Sequence, residues 1–143
     1  MEMLFRLNDK KSSELFRQPV DAKQVPDYYQ RILNPMDLNT IAENLKEGKY
    51  YDASEVYRDL DQIIINCLDY NYNNFEIIKK AEAFKECIKT EWGNFMKEMQ
   101  RKMNITDSII VDVTSDIHER LLAMEEKRRK RKATPANSSM MES

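Results

Sequence analysis

Apolar residues recur at helical spacing along most of this chain. Val56, Leu60, Ile63, Ile64 and Cys67 lie on one helix face, and Ile77, Ala81, Phe84, Ile88, Trp92, Phe95 and Met99 mark a second, longer stripe. Leu38, Ile41, Ala42 and Leu45 form a shorter one. Leu4 and Leu7, followed after a polar interval by Leu15 and Phe16, predict a short first helix. Start and stop signals separate these stripes. Asp37 reads as the N-cap of a second helix and Gly48 as its stop. Asp52, with Glu55 three residues on, has the capping-box arrangement for a third helix running to about Asn71, and Asn73 with Glu76 repeats it for a fourth.

Between Gln18 and Met36 no period persists. Pro19, Pro26 and Pro35 punctuate the stretch, while Val20, Val25, Tyr28, Tyr29, Ile32 and Leu33 are interspersed, so it is expected to pack against the helices as a long connection. Long connections inside compact domains are uncommon and usually functional. Four amphipathic helices with one long and two short connections predict an all-α bundle with a crossover loop. Beyond Arg101 the pattern weakens. Ile110, Val113, Ile117, Leu121 and Met124 keep helical spacing with Ser115 as candidate cap, and the nearby IIVDV reads equally as a short strand. The expected organisation is a bundle over residues 3–102, a helical extension over 103–132 and a disordered tail over 133–143, whose composition is ATPANSSMMES.

Composition supports helices. Among 143 residues there are only two glycines and four prolines, too few for the turns a sheet requires. No apolar run approaches the roughly 18 residues that would cross a bilayer, and the N-terminus has no signal-like apolar region, so an intracellular protein is expected. Cys67 and Cys87 are too few for a disulfide framework or a zinc cluster and read as buried thiols. His118 has no Cys or Asp partner at a metal-binding or catalytic spacing. No cofactor, metal or enzymatic constellation is therefore expected.

The net charge of −2 conceals an uneven layout. Residues 1–102 carry 16 basic against 18 acidic side chains, residues 103–126 carry 1 against 6, and residues 127–132 read KRRKRK. The body lacks the basic face of a nonspecific duplex binder, so any nucleic-acid contact belongs to residues 127–132, which are also a nuclear-localisation candidate.

Asn71 stands out because continuing the Val56 to Cys67 stripe by four residues lands on it instead of a hydrophobe. A polar side chain facing a core must find a partner or cost about 1–3 kcal/mol. The partner is either local, as when a helix C-terminal residue satisfies nearby carbonyls, or a ligand.

Five motifs in order favour the ligand. PVD (Pro19 to Asp21), VPDYY (Val25 to Tyr29), NPMDL (Asn34 to Leu38), Tyr50 and NCLDYN (Asn66 to Asn71) make residues 3–100 resemble the bromodomain family. The resemblance implies a left-handed four-helix bundle whose loops frame an acetyl-lysine pocket, hence a non-catalytic reader of acetylated histone tails, in the nucleus and among chromatin complexes. By the same resemblance Asn71 donates to the acetyl carbonyl, Tyr28 reaches that carbonyl through a water, and Val20 and Val25 form a wall. Tyr70 shapes the rim, Ile77 takes the gatekeeper position, and Phe16 lines the floor as the last residue of the family's Trp-Pro-Phe shelf. Glu14 and Leu15 replace the Trp and Pro of that shelf, and the loop between PVD and VPDYY is shorter than in BET-type members. The chain thus resembles a non-BET type, nearer the bromodomains attached to AAA ATPases or the large TFIID subunit. The alternative is a helical adaptor for a non-acetylated partner, which would use the same bundle without needing Asn71 or Tyr28.

Overall fold

The computed structural model describes residues 1–132 in full, and the tail expected over 133–143 lies outside the described residues. Among the described residues the chain is helical with no strand. It divides into two compact units, Met1–Lys97 and Glu98–Ser143. None of the described helices is long and apolar enough to cross a membrane.

The first unit begins with α1 (Glu2–Asp9), which buries Met3, Leu4 and Leu7. The single first helix suggested by Leu4 through Phe16 is in fact two elements. Lys10 takes an extended conformation, and a 3-10 helix follows over Lys11–Phe16. Ser13 explains the break. Its fully buried hydroxyl donates to Lys10 O at 2.7 Å and Asn8 O at 3.1 Å, and Arg17 adds Nη2 to Lys10 O at 2.8 Å. Side-chain bonds thereby take up carbonyls that a continuing helix would have used. Phe16 is left pointing inward, buried against the core.

The long connection is more ordered than its lack of period implied. Asp21 caps a turn through Lys23 N at 2.9 Å, and a single helical turn, α2 (Tyr28–Arg31), follows. Two long-range bonds pin its ends: Asn39 N donates to Arg17 O at 3.0 Å, and the buried Asn66 donates Nδ2 to Asn34 O at 2.8 Å.

α3 (Leu38–Lys46) is capped by Asp37, whose carboxylate accepts from Thr40 N at 2.9 Å and from the Thr40 hydroxyl. Gly48 ends the turn beyond it with φ 72°, a conformation costly for any side chain. Leu38 and Ile41 are buried and Leu45 partly so, but Ala42 is exposed, because nine residues present only a narrow inward stripe and Ala42 falls beside it. α4 (Ala53–Tyr70) starts from Asp52, which accepts from Glu55 N; in return Glu55 Oε2 accepts from Tyr51 N at 2.6 Å, one residue upstream of the usual box. Tyr50 donates to Asp59 Oδ2 at 2.6 Å and fixes the α3–α4 connection.

α5 spans Phe75–Glu142. Its cap is Asn74, not the expected Asn73: Asn74 N bonds Asn71 O at 2.9 Å to close the preceding turn, and Asn74 Oδ1 then accepts from Ile77 N. In the first unit this helix buries Ala81, Phe84 and Ile88. They join Val56, Leu60, Ile63 and Ile64 of α4 in one core, with Trp92 packed at a tilt between Tyr57 and Phe95, centroids 4.8 and 5.5 Å away. Glu91, only 8% exposed, sits 3.9 Å from Arg6 and 3.7 Å from Lys10, cations that offset the cost of burying its carboxylate.

In the second unit the helix is unbroken where a weakening after Arg101 and a fresh start at Ser115 were expected, and IIVDV is helical. No Gly or Pro occurs between Gly93 and Pro135, so nothing in the sequence stops it. Met99, expected on the buried stripe, is exposed here.

Candidate functional site

A cavity of about 210 Å3 lies between the long connection, the C-terminal end of α4 and the first turn of α5. Phe16, Val20, Val25, Tyr28, Tyr70, Asn71 and Ile77 all border it, together with Leu15, Gln18, Met36, Ile63 and Cys67. Sequence separations of up to 62 residues, Leu15 to Ile77, are thus brought around one space.

Each wall has an identifiable support. Phe16 lies flat on Phe84, centroids 5.0 Å apart and planes 16° from parallel, so the floor is backed by the core. Met36 is carried by the segment that Asn66 pins to α4 through Asn34 O, and Gln62 Nε2 completes Asn66 by donating to its Oδ1 at 2.7 Å. Tyr29 turns away and donates its hydroxyl to Val20 O at 2.5 Å, which holds the Val20 wall. Tyr70 donates to Asp27 Oδ1 at 2.5 Å, and this bond raises its pKa. Arg31 lies against both Tyr70 and Tyr72, 5.6 and 5.4 Å from their ring centres, and donates to Asp69 O at 2.9 Å. That clamp ties α2 to the end of α4.

Tyr28 is 7% exposed, edge-on to Tyr29 at 5.3 Å and to Tyr70 at 5.0 Å. Burial first, then the neighbouring Tyr29, Cys67 and Tyr70, pushes its pKa up to about 12, so the hydroxyl stays protonated at neutral pH. Among the described residues it hydrogen-bonds to no protein group.

Asn71 is the C-cap of α4. Its Nδ2 donates to Cys67 O at 3.1 Å and lies 3.8 Å from Cys67 Sγ. The local partner considered from sequence is therefore present. An amide nitrogen carries two hydrogens, however, and a thiol sulfur is a weak acceptor, so one N–H remains for a better acceptor in the cavity. Burial raises the Cys67 pKa, which keeps that sulfur an uncharged part of the wall.

No charged side chain borders the cavity. Its volume is below the roughly 300–1,000 Å3 of sites for drug-sized ligands, which suits one side chain better than a nucleotide or flavin. Among the described residues no group of three or more His, Cys, Asp or Glu is placed to hold a metal. The arrangement can hold a small, neutral, partly apolar group with one acceptor oxygen.

Leu15, Gln18, Met36, Ile63, Cys67 and the supporting Asn66 and Arg31 were not singled out from sequence as site residues. Met36 and Asn66 stand inside the NPMDL and NCLDYN motifs, which was the available signal. Arg31 had none, because its partners are 38 or more residues away.

Comparison with known proteins agrees in one direction. The bromodomain family model matches residues 1–83. A bromodomain-containing protein homolog of Drosophila melanogaster is 33% identical over 100 residues, covering 70% of this chain and 7% of its own length. Bromodomain-containing factor 2 of Saccharomyces cerevisiae is 34% identical over 97 residues, 64% of this chain and 15% of its own. Transcription initiation factor TFIID subunit 1 of Drosophila melanogaster is 37% identical over 80 residues, 56% of this chain and 4% of its own. The chain spans a small part of each relative's length. With a family model matched over more than half its residues, an all-helical fold and the ordered motifs around one cavity, the chain belongs to the bromodomain family.

Proposed function

We propose that residues 3–102 form a module that recognises acetyl-lysine, chiefly on histone tails, and performs no catalysis itself. What supports this reading most is that Asn71 and Tyr28 both border one small, largely apolar cavity whose lining holds no charged side chain. Asn71 donates its remaining N–H to the acetyl carbonyl and Tyr28 reaches the same oxygen through a bridging water, a contact nearly as favourable as a direct bond. The acetyl methyl rests on Phe16, the alkyl stem lies between Val20, Val25 and Ile77, and Tyr70 forms the rim.

Selectivity follows from what the cavity lacks. An unmodified ammonium would be stripped of water and find no carboxylate on the lining, a heavy penalty for a buried charge. The attractive side is modest: a net hydrogen bond of about 0.5–1.5 kcal/mol and about 0.8 kcal/mol for each buried CH2. Single-site binding is accordingly micromolar or weaker, with useful strength from linked sites. Glu14 and Leu15 in place of an aromatic shelf reduce the hold on residues flanking the acetyl-lysine.

Nuclear residence and chromatin partners are part of the same proposal, supported by the transcription-factor relative and by KRRKRK at 127–132, which also offers a weak nucleic-acid contact. Loss of nuclear accumulation on deleting residues 127–132 is expected; unchanged accumulation removes that role. For recognition, calorimetric titration with matched acetylated and unacetylated histone peptides is decisive. Binding of the acetylated peptide alone, abolished by Asn71→Ala, is expected. Equal binding of both peptides, or an unaffected Asn71→Ala protein, would return the domain to an adaptor role.

A further inference from the structure

A groove of about 460 Å3 runs between the 3-10 helix and the first turns of α5, beside the cavity already described. Leu15, 48% exposed, belongs to the lining of both spaces, so the groove opens from one side of the cavity. Charged side chains border the rest of it, Lys11 and Glu14 from the 3-10 helix and Glu76, Lys79 and Lys80 from α5. The cavity itself has no charged lining, so the change of character at Leu15 is abrupt. It falls where Glu14 and Leu15 stand in place of an aromatic shelf.

The charges are ordered along the groove. Glu14 immediately precedes Leu15 and Glu76 immediately precedes Ile77, both lining residues of the cavity, so each wall sets a carboxylate beside the cavity. The cations stand further off: Lys11 lies one 3-10 turn before Glu14, and Lys80 about one α-helical turn beyond Glu76. Lys79 is drawn to the Phe75 ring, 5.0 Å from its centre. The side chains of Lys11, Glu14, Glu76 and Lys80 form no ion pair or hydrogen bond, although Glu76 and Lys80 are spaced for one. Their charges are open to a ligand. A chain whose acetyl-lysine fills the cavity must leave its mouth on some side, and successive residues of an extended segment advance about 3.3 Å each, so its next few side chains come within reach of the groove. We infer that Glu14 and Glu76 are specificity-determining residues that favour an arginine or lysine directly flanking the acetyl-lysine, while Lys11 and Lys80 favour an acidic residue beyond it. This preference rests on the acetyl-lysine reading and narrows its ligand class to sites with a basic neighbour followed by an acidic one, as opposed to an unbroken basic run. All four side chains are exposed, so they discriminate among peptides more than they add to affinity.

Fluorescence anisotropy of the full chain with labelled glycine-rich peptides, each carrying one acetyl-lysine, tests this. Relative to neutral flanks, an arginine beside the acetyl-lysine should tighten binding about threefold and a glutamate there should weaken it by about as much. With the arginine kept, a glutamate two residues further out should tighten binding again. Both effects should appear on one side of the acetyl-lysine only, and should fade in 1 M salt, where the Debye length is about 3 Å. Equal effects on both sides would reveal a general attraction and overturn the assignment to the groove. The double substitution Glu14→Lys with Glu76→Lys should invert the preference of the adjacent position, so that glutamate now binds better than arginine; a preference that this variant leaves unchanged removes the role of the two carboxylates. The peptide series on the parent chain decides the matter even where that variant fails to fold. Unacetylated versions of the same peptides keep the two readings apart. Acetylation-dependent binding that ignores flanking charge overturns the flank preference alone, whereas binding that ignores acetylation overturns the acetyl-lysine reading and the preference with it.

Discussion

Two parts of α5 carry apolar residues at the same helical spacing and have opposite surroundings. Between Phe75 and Lys97, Ala81, Phe84 and Ile88 are almost wholly removed from solvent by α1, the 3-10 helix and α4. Between Glu98 and Lys132, Ile110, Val113, Ile117, Leu121 and Met124 are all half or more exposed. Periodicity therefore announces that a helix face seeks cover, and says nothing about whether the cover lies in the same chain. The helices of residues 1–97, with the long connection packed against them, supply it internally; the later stretch has no following element among the described residues to do so. A smaller contrast appears at Asn71, whose Nδ2 has one strong local acceptor, Cys67 O, and otherwise only the weakly accepting Cys67 sulfur.

Substitutions can sharpen this contrast, and Trp92, the sole tryptophan, reports on the first unit by fluorescence in urea. The largest loss, about 3–5 kcal/mol, is expected for Phe84→Ala, which opens a void beneath Phe16 and lowers peptide affinity with it. Asn66→Ala should cost about 1–3 kcal/mol by orphaning Asn34 O, and should weaken binding further by releasing Met36. Asp37→Ala removes the α3 cap, for about 0.5–2 kcal/mol, with little effect on the pocket. Ile117→Ala should alter the Trp92-detected transition by less than about 0.5 kcal/mol; a loss comparable to that of Phe84→Ala would erase the distinction between the two parts of the helix.

Alkaline titration adds a different check. Tyr28 and Tyr50 have their pKa values raised from 10.0 to about 12, in both cases first by burial, and for Tyr50 also by its bond to Asp59. The unfolded chain releases these protons first, so the stabilisation is complete below pH 10 and is lost as pH rises toward 12. Urea midpoints should fall across that window, and Tyr28→Phe should remove part of the fall. A midpoint that is flat from pH 10 to 12 would show that neither hydroxyl is held as described.

Legibility in the sequence followed the range of the interaction. Asp37, Gly48 and Asp52 act within a few residues of themselves, and their roles as caps and stop could be read directly. Asn73 and Asn74 both stand before the same apolar stripe, and only the turn closed by Asn74 N to Asn71 O makes Asn74 the cap. The break at Lys10 has no local sequence signal, since it depends on where the Ser13 hydroxyl bonds, and α2 is too short to show a period. Continuity of α5 was obscured by β-branched residues, although the want of any Gly or Pro was a sign of it. At the site, ordered motifs point to residues that touch the cavity and also contain the supporting Asn66, whereas Arg31 works through contacts 38 or more residues away that no local pattern encodes.

The most direct test of the account follows the Asn71 side-chain amide by nuclear magnetic resonance as acetylated and unacetylated versions of one histone peptide are added. The acetylated peptide is expected to move one Asn71 Nδ2–H resonance strongly downfield and to shift the backbone signals of Val20, Val25 and Ile77, and the unacetylated peptide to leave them in place. Equal shifts with both peptides, or shifts confined to residues outside the cavity, would contradict it.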